Sequence, residues 1–259
     1  MQYFVTKNSI VREIWGKSDT ILSIFAGASA EFALNKAVDW LYYTGRLPKD
    51  PLGRLFSTVS YAREIVFAEK QAAVKAIDRI NSIHGSVEAE RGKSIPDWAY
   101  RDVLFMLIDY SIRSFEILER KLELSEKEEI FDVFWRVGKR MNLKGLPNNF
   151  KEFEIMRKNH LERNLEYASY TKDLYRQYRK HLGIARYSLL LETQTLICPA
   201  KVQKLLHLRR FSFLSVFIPI YKFSRDIKLD GILKSIILPA EYKTEIKSLD
   251  QLNTSTPST

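Results

Sequence analysis

Residues 50–84 carry the stretch that decides the fold class, DPLGRLFSTVSYAREIVFAEKQAAVKAIDRINSIH. Its apolar residues recur at three- and four-residue steps, which is typical of amphipathic helices. Asp50 followed by Pro51 predicts a helix start, with the aspartate side chain as N-cap and proline at the first helical position. The helical pattern then continues to about Glu90.

The same periodicity predicts further helices over residues 9–15, 20–43, 97–120, 125–141, 150–182 and 183–208, with Pro199 dividing the last. Ser125 and Glu128 predict a capping box. Glycine and proline are scarce, at 10 and 8 residues, and no segment alternates as a strand would. We therefore predict an all-α fold, with a single helical bundle domain over residues 1–210. Residues 211–250 are expected to form an extension packed on the core or at a membrane interface, and residues 251–259 a disordered tail.

Composition narrows the classes of function. The 259 residues include 41 Lys and Arg against 31 Asp and Glu, which gives a net charge of +10. The single cysteine, Cys198, excludes an internal disulfide framework and sites that need several cysteines. Because it lies in an apolar run, we expect it to be inert, although a thiolate can also ligate haem iron. The N-terminus lacks the apolar centre of a secretory signal, so we expect a cytoplasmic protein, with peripheral membrane association as an option.

A basic pair precedes an apolar run near the C-terminal end of the chain. Arg209 and Arg210 are followed by residues 211–221, which carry no charge. Eleven helical residues rise about 16 Å, roughly half of a hydrocarbon core, so this run does not predict a membrane span. A basic-then-apolar segment can rest in a membrane interface, but a buried C-terminal helix is the commoner explanation and the preferred prediction.

A second basic stretch, residues 172–186, interleaves arginine and lysine with Tyr175, Tyr178 and Tyr187. Basic residues with aromatic neighbours suit contact with a nucleic-acid backbone and base stacking. Tyrosines beside arginines on a helix more often form a half-buried face with a charged rim. Nucleic-acid binding is therefore a minor hypothesis.

Arg54 and Thr58 have the i,i+4 spacing that places two side chains on one face of a helix. Tyr61 continues that face. An arginine, a hydroxyl and a phenol in one stripe can position an anion, a propionate or bound oxygen. An ordinary amphipathic helix with its arginine at the solvent margin explains the pattern equally, and on periodicity alone it is favoured.

His84 shares its helix face with the apolar residues Ile77, Ile80 and Val87. A histidine in an apolar stripe is either a core residue with one hydrogen-bond partner or an axial ligand to a metal cofactor such as haem. The spacing alone favours the core residue.

Geometry places a condition on any joint site of Thr58 and His84. If residues 50–90 formed one helix, these two residues would lie about 39 Å apart. A break near residues 67–70 would fold the segment into a helical hairpin and bring its two faces together. That stretch holds neither glycine nor proline, so the sequence does not demand a break.

The run from Asp50 to Ala62, followed by Ile80-Asn81-Ser82-Ile83-His84, resembles the oxygenase family of the mycophenolic acid pathway enzyme and the rubber-cleaving latex clearing protein. The likeness continues through residues 95–102, Leu146-Pro147 and residues 178–183, and covers about residues 10–210. Its most specific part is the Arg-x-x-x-Thr spacing with a histidine 26 residues later.

This resemblance implies a helical fold that binds haem b in its core, with His84 as the proximal iron ligand. It implies that Arg54 and Thr58 lie on the distal side near bound oxygen, where Arg54 can also anchor a haem propionate. A carboxylate base is expected ahead of the arginine. Glu31 is the predicted catalytic carboxylate, with Asp39 left open beside it.

The chain also departs from the family pattern. The rubber-cleaving branch has a lysine before the motif threonine, and Ser57 replaces it here, so no lysine cap of the iron is expected. Many members carry a His-Pro pair in the helix at residues 20–43 and a histidine in the helix that starts near Asp97. Neither histidine occurs in this chain.

Taken together, these features predict a haem b-dependent oxygenase that uses dioxygen on an apolar, isoprenoid- or lipid-like substrate. One alternative is a helical haem- or lipid-binding protein without turnover. A second is a basic helical binder of nucleic acid or anionic membranes. The expected partners are the small apolar substrate, dioxygen and a membrane surface, with no nucleic acid expected and the oligomeric state left open.

Overall fold

The computed structural model describes residues 2–45 and 49–226, without the side chains of Leu52, Arg54, Leu55, Phe56, Ile220 and residues 223–226. The predicted 251–259 tail and most of the predicted 211–250 extension lie outside the described residues. In the described part the helices are α1 Ile10–Trp15, α2 Ser18–Leu34, α3 Val38–Tyr43, α4 Pro51–Phe67, α5 Lys70–Arg91, α6 Asp97–Leu118, α7 Leu124–Arg140, α8 Phe150–Arg163, α9 Ser169–Ile197, α10 Ala200–Leu205 and α11 Leu214–Asp226. Extended pairing in these ranges is limited to two isolated bridges. The all-α prediction is confirmed.

Helix α2 lies at the centre of the bundle, packed chiefly against α6 and α9. Its residues are small where the neighbours come closest: Ala26, Ala28, Ala30 and Ala33 are all buried. Gly27 is required for the closest approach, because a Cβ there would lie 2.3 Å from Cε1 of Tyr110 on α6. Small side chains thus let α6 and α9 approach α2 closely.

The helical pattern predicted over residues 50–90 is divided into α4 and α5, a break that the sequence allowed but did not demand. Ala68 and Glu69 both have extended backbone, with ψ of 162° and 154°. The N-terminal segment stabilises the extended backbone between the two helices. Glu69 forms a bridge with Tyr3, and the Lys70 amide donates to the Gln2 carbonyl at 2.9 Å. Helices α4 and α5 consequently pack against each other as an antiparallel hairpin.

Other boundaries agree with the sequence in part. Asp50 caps α4 as predicted, by accepting from the Gly53 amide at 2.8 Å. A left-handed Gly183 kinks α9, and Pro199 separates α9 from α10, both near their predicted places. The predicted capping box at Ser125 is wrong, because Glu123 caps α7 in exchange with Glu126.

Two helices predicted as continuous are interrupted. The predicted 20–43 helix breaks at Asn35, and the predicted 150–182 helix breaks over residues 164–168. The two breaks pair with each other: the Lys36 amide donates to the Asn164 carbonyl at 3.0 Å, and the Glu166 amide donates to the Leu34 carbonyl at 2.8 Å. A long-range backbone contact, which no local pattern encodes, therefore ends both helices.

Within residues 2–45 and 49–226, no helix combines the length and the apolar character needed to cross a bilayer.

The close packing of α2 on Tyr110 predicts that Gly27→Ala lowers the free energy of unfolding by about 1–3 kcal/mol through overpacking, despite the better helix propensity of alanine. Gly85→Ala is the matched control, since a Cβ at that helical position meets nothing within 4 Å. The control should be neutral or more stable by up to about 1 kcal/mol. Urea unfolding followed by circular dichroism measures both, and equal stability of the two variants would contradict this packing.

Candidate functional site

The hairpin brings Thr58 and His84 to the same level. Arg79 on α5 lies opposite α4, with its guanidinium 5.9 Å from the Tyr61 ring and 3.3 Å from a carboxylate oxygen of Glu64. Helices rise equally per residue, so five residues further along α5 correspond to five residues back along α4. His84 therefore lies opposite residues 56–59 of α4, which include the half-buried Thr58. The hairpin thus removes the separation of about 39 Å that one continuous helix would impose.

The His84 ring is half-buried and packs edge-on against Tyr100 of α6, with ring centroids 5.2 Å apart. The Tyr100 hydroxyl donates to Glu88 at 3.2 Å, and burial together with the Glu88 charge raises the pKa of Tyr100, which keeps the phenol protonated. The backbone beside the histidine is open, because a Cβ at Gly85 would meet nothing within 4 Å. The neighbouring helix α6 thus packs against the imidazole.

Of the predicted site residues, Arg54 lies on α4 one turn before Thr58, and its side chain is outside the described part of the structure. Asp39 lies on α3 and forms an ion pair with Arg91 at 2.6 Å, where Arg91 also stacks on Trp40 at 4.0 Å. This pair joins α3 to the C-terminal end of α5. The Asp39 side chain keeps 36% of its surface exposed.

Glu31 occupies a different environment, fully buried in the last turn of α2. Arg157 on α8 binds both carboxylate oxygens, one of them at 2.7 Å. The His160 ring nitrogen Nε2 lies 2.8 Å from one oxygen, and the Tyr110 hydroxyl donates to the other at 2.9 Å. Every described hydrogen-bond partner of this carboxylate lies on α6 or α8.

The network extends outward through two more carboxylates. Arg157 also donates to Asp109 at 2.9 and 3.0 Å, and Asp109 in turn accepts from Arg113 at 2.8 Å. His160 Nδ1 forms an ion pair with Asp102 at 2.7 Å. Each buried acid in this cluster is therefore paired with a cation, which is what burial of charge requires.

The pKa values follow from these contacts. Burial alone would raise the pKa of Glu31, but the charge and hydrogen bonds of Arg157 and His160 outweigh it and lower the pKa to about 2. Burial opposes the charged form of His160 as well, yet its contacts with Asp102 and Glu31 raise the pKa above its usual 6.5. Glu31 is thus held ionised, and His160 is held protonated.

These contacts favour a positioning role for Glu31 over that of a proton acceptor. A carboxylate with a pKa near 2 is a weak base at neutral pH, and both of its oxygens are already engaged. The cluster partners Arg157 and His160 were not predicted from the sequence. The sequence did hold a signal. Glu31 lies in an alanine-rich apolar stretch, and a buried carboxylate there needs a cationic partner. Arg157 and His160, spaced i,i+3 on α8, can supply one.

Cys198 is buried, and burial raises the pKa of its thiol to about 12. The Tyr110 hydroxyl lies 3.7 Å from its sulfur. These surroundings suit the inert side chain predicted from the sequence and do not produce a thiolate.

Two tyrosines of the basic stretch form hydrogen bonds inside the bundle. Tyr178 is buried and donates to the Ser29 carbonyl at 3.2 Å, and the Tyr175 hydroxyl donates to Gln194 at 2.9 Å. Neither ring is free to stack on a base. Among the described side chains, no three His, Cys, Asp or Glu residues lie close enough together to hold a bare metal ion.

A family model described as "ER-bound oxygenase mpaB/B'/Rubber oxygenase, catalytic domain" matches residues 19–216. The chain belongs to this oxygenase family. The match to the MpaB and rubber oxygenase domain begins in α2 and ends in α11, so it contains both the hairpin and the Glu31 cluster. Neither a curated protein nor a solved structure matches the chain. The family predicted from the sequence is confirmed.

The raised pKa of His160 predicts a pH-dependent stability. Because the folded state holds this proton more tightly, the stabilisation is complete below about pH 6.5 and is lost as pH rises through the folded-state pKa. His160→Gln should lose about 3 kcal/mol at pH 6 by leaving the buried acids short of a cation, and should show a flatter stability profile above pH 6.5. Thermal unfolding across that range measures both effects.

His207→Gln is the control for this experiment, because His207 is exposed. It should keep the parent's profile. A His160→Gln profile parallel to that of the parent would contradict the charged state assigned to His160.

Proposed function

We propose that this chain is a haem b-dependent oxygenase that acts with dioxygen on an apolar, isoprenoid- or lipid-like substrate, with His84 as the residue that would hold the haem iron. Family membership supports oxygenase activity. The observation that supports the proposal is the break at Ala68 and Glu69, which folds the helix of Arg54 and Thr58 back along the helix of His84. Without that break, the family's motif residues would lie too far apart to serve one cofactor.

The donor set on this hairpin fits a haem. A haem needs only one or two protein ligands, because the porphyrin supplies four nitrogen atoms. His84 is half-buried and its ring packs against Tyr100, which would suit an imidazole ligand whose ring is held by a neighbouring group. When bound, haem iron would supply the activation of dioxygen, which protein side chains cannot perform.

The protein's own side chains would bind and orient the reacting molecules and donate hydrogen bonds to them. The Thr58 hydroxyl would donate a hydrogen bond to an oxygen atom of the reacting molecules. Arg54, on the same face one turn earlier, would anchor an anionic group through charge-assisted bonds. We assign any proton-accepting role to Asp39, since it is partly exposed, and a positioning role to Glu31, which fixes α2 against α6 and α8.

The ligand assignment is tested by absorption spectra of protein expressed with haem supplied. The parent should show a Soret band, and His84→Ala should lose it or shift it strongly, because the axial imidazole is gone. His181→Ala is the matched control, as His181 is another half-buried helical histidine and should keep the parent spectrum. An unchanged Soret band in His84→Ala would contradict the assignment.

The hydroxyl assignment is tested by Thr58→Val, which keeps the side chain's shape. We expect an intact Soret band and oxygen uptake with unsaturated terpenoids or lipids that is lower by about 10-fold or more, the loss typical of one donor in an active site. Ser60→Ala, an exposed hydroxyl on the same helix, is the control and should leave uptake unchanged. A Soret band without any oxygen uptake in the parent would favour the alternative of a haem-binding protein without turnover.

A further inference from the structure

A basic cleft of about 360 Å³ lies at the C-terminal side of the bundle. Four of its lining residues are Lys204, His207, Arg209 and Arg210, and no acidic residue lines it. Arg209 forms an ion pair with Glu192 at 3.2 Å. Lys204 and Arg210 are exposed and form no ion pair with any described residue. The cleft therefore presents net positive charge to an incoming anion.

An apolar stripe follows directly in the sequence. Phe211 is 83% exposed, and Phe213, directly before α11, is 66% exposed. Val216 and Phe217, in the first turn of α11, are 68% and 58% exposed and continue the apolar surface. The preferred sequence interpretation, a buried C-terminal helix, is therefore wrong for this face. Contiguous aromatic exposure of this kind marks an interaction site in a folded protein.

The rest of α11 is anchored, so the stripe is held outward. Glu192 accepts from the Phe213 amide at 2.7 Å and from the Ser212 hydroxyl at 3.0 Å, which fixes the start of the helix. Further along, Tyr221 donates to Asp19 at 2.9 Å and Lys222 donates to the Glu119 carbonyl at 2.9 Å. The side that carries these anchors faces the bundle, and the apolar stripe faces away from it.

We propose that residues 203–217 form a docking site for an anionic membrane lipid. The cleft takes the phosphate-bearing headgroup, and the aromatic stripe enters the boundary between headgroups and acyl chains. Cations next to exposed aromatics have the two attractions of an interfacial anchor, charge toward an anionic leaflet and burial of apolar surface. A net charge of +10 adds a long-range attraction to the same surface.

The test is co-sedimentation of the full chain with vesicles of phosphatidylcholine alone and of phosphatidylcholine with about one third phosphatidylserine. The parent should bind the anionic vesicles. Lys204→Gln/Arg210→Gln should lower partitioning onto them by about 25-fold, at about 5-fold for each cation. Phe213→Ser/Phe217→Ser should lower binding by more than about 10-fold. All these positions are exposed, so the variants should remain folded.

Matched controls separate this site from general charge and apolarity. Lys172→Gln/Lys180→Gln removes two exposed cations of α9, and Ile184→Ser removes an apolar side chain that is 73% exposed. Both should bind vesicles as the parent does. Equal losses in the controls and the site variants would overturn the proposal.

Absence of vesicle binding by the parent would also overturn the proposal. So would binding of inorganic phosphate in the cleft without vesicle binding. A third such outcome is a dimer in solution that Phe213→Ser/Phe217→Ser abolishes while vesicle binding is absent. None of these readouts involves haem, so failure here leaves the proposed function standing, and failure of the haem experiment leaves this site standing.

Discussion

The carboxylate of Glu31 is the constraint around which the bundle is arranged. It lies in the most apolar helix of the chain with no exposed surface, and an isolated charge there would be prohibitively costly. Arg157 and His160 on α8 and Tyr110 on α6 must therefore reach it together. Each of these groups is held in turn, so that α2, α6 and α8 can adopt one relative position. A buried ionic cluster of this kind defines geometry more than it adds stability.

The same cluster determines where helices end. Asp102, the partner of His160, also accepts a hydrogen bond from Asn164 at 2.9 Å. Asn164 begins the gap between α8 and α9, and that gap pairs through its backbone with the end of α2. The polar interior and the chain breaks around it thus form one unit. The hairpin of α4 and α5 is constrained separately, by the N-terminal segment that pairs with its corner.

The difference between local and long-range contacts explains which features the sequence could predict. Local chemistry predicted the Asp50 cap, the Gly183 kink and the division at Pro199, because each depends on neighbouring residues alone. The breaks at Asn35 and at residues 164–168 depend on each other across more than a hundred residues, so periodicity missed both. The sequence marked His84 and Thr58 through a family resemblance and a spacing. Arg157 and His160 were not predicted, because their partner Glu31 is distant along the chain and the sequence of α8 has an ordinary pattern of charged residues.

The central claim is that the break at Ala68 and Glu69 positions the His84 imidazole to ligate haem iron. The most direct measurement is an imidazole titration of haem-supplied His84→Gly, followed in the Soret region. The account predicts that added imidazole restores a band like that of the parent with saturation, because the free ligand fills the space vacated by the side chain. A variant with a parent-like spectrum before imidazole is added, or one that imidazole does not change, would contradict it.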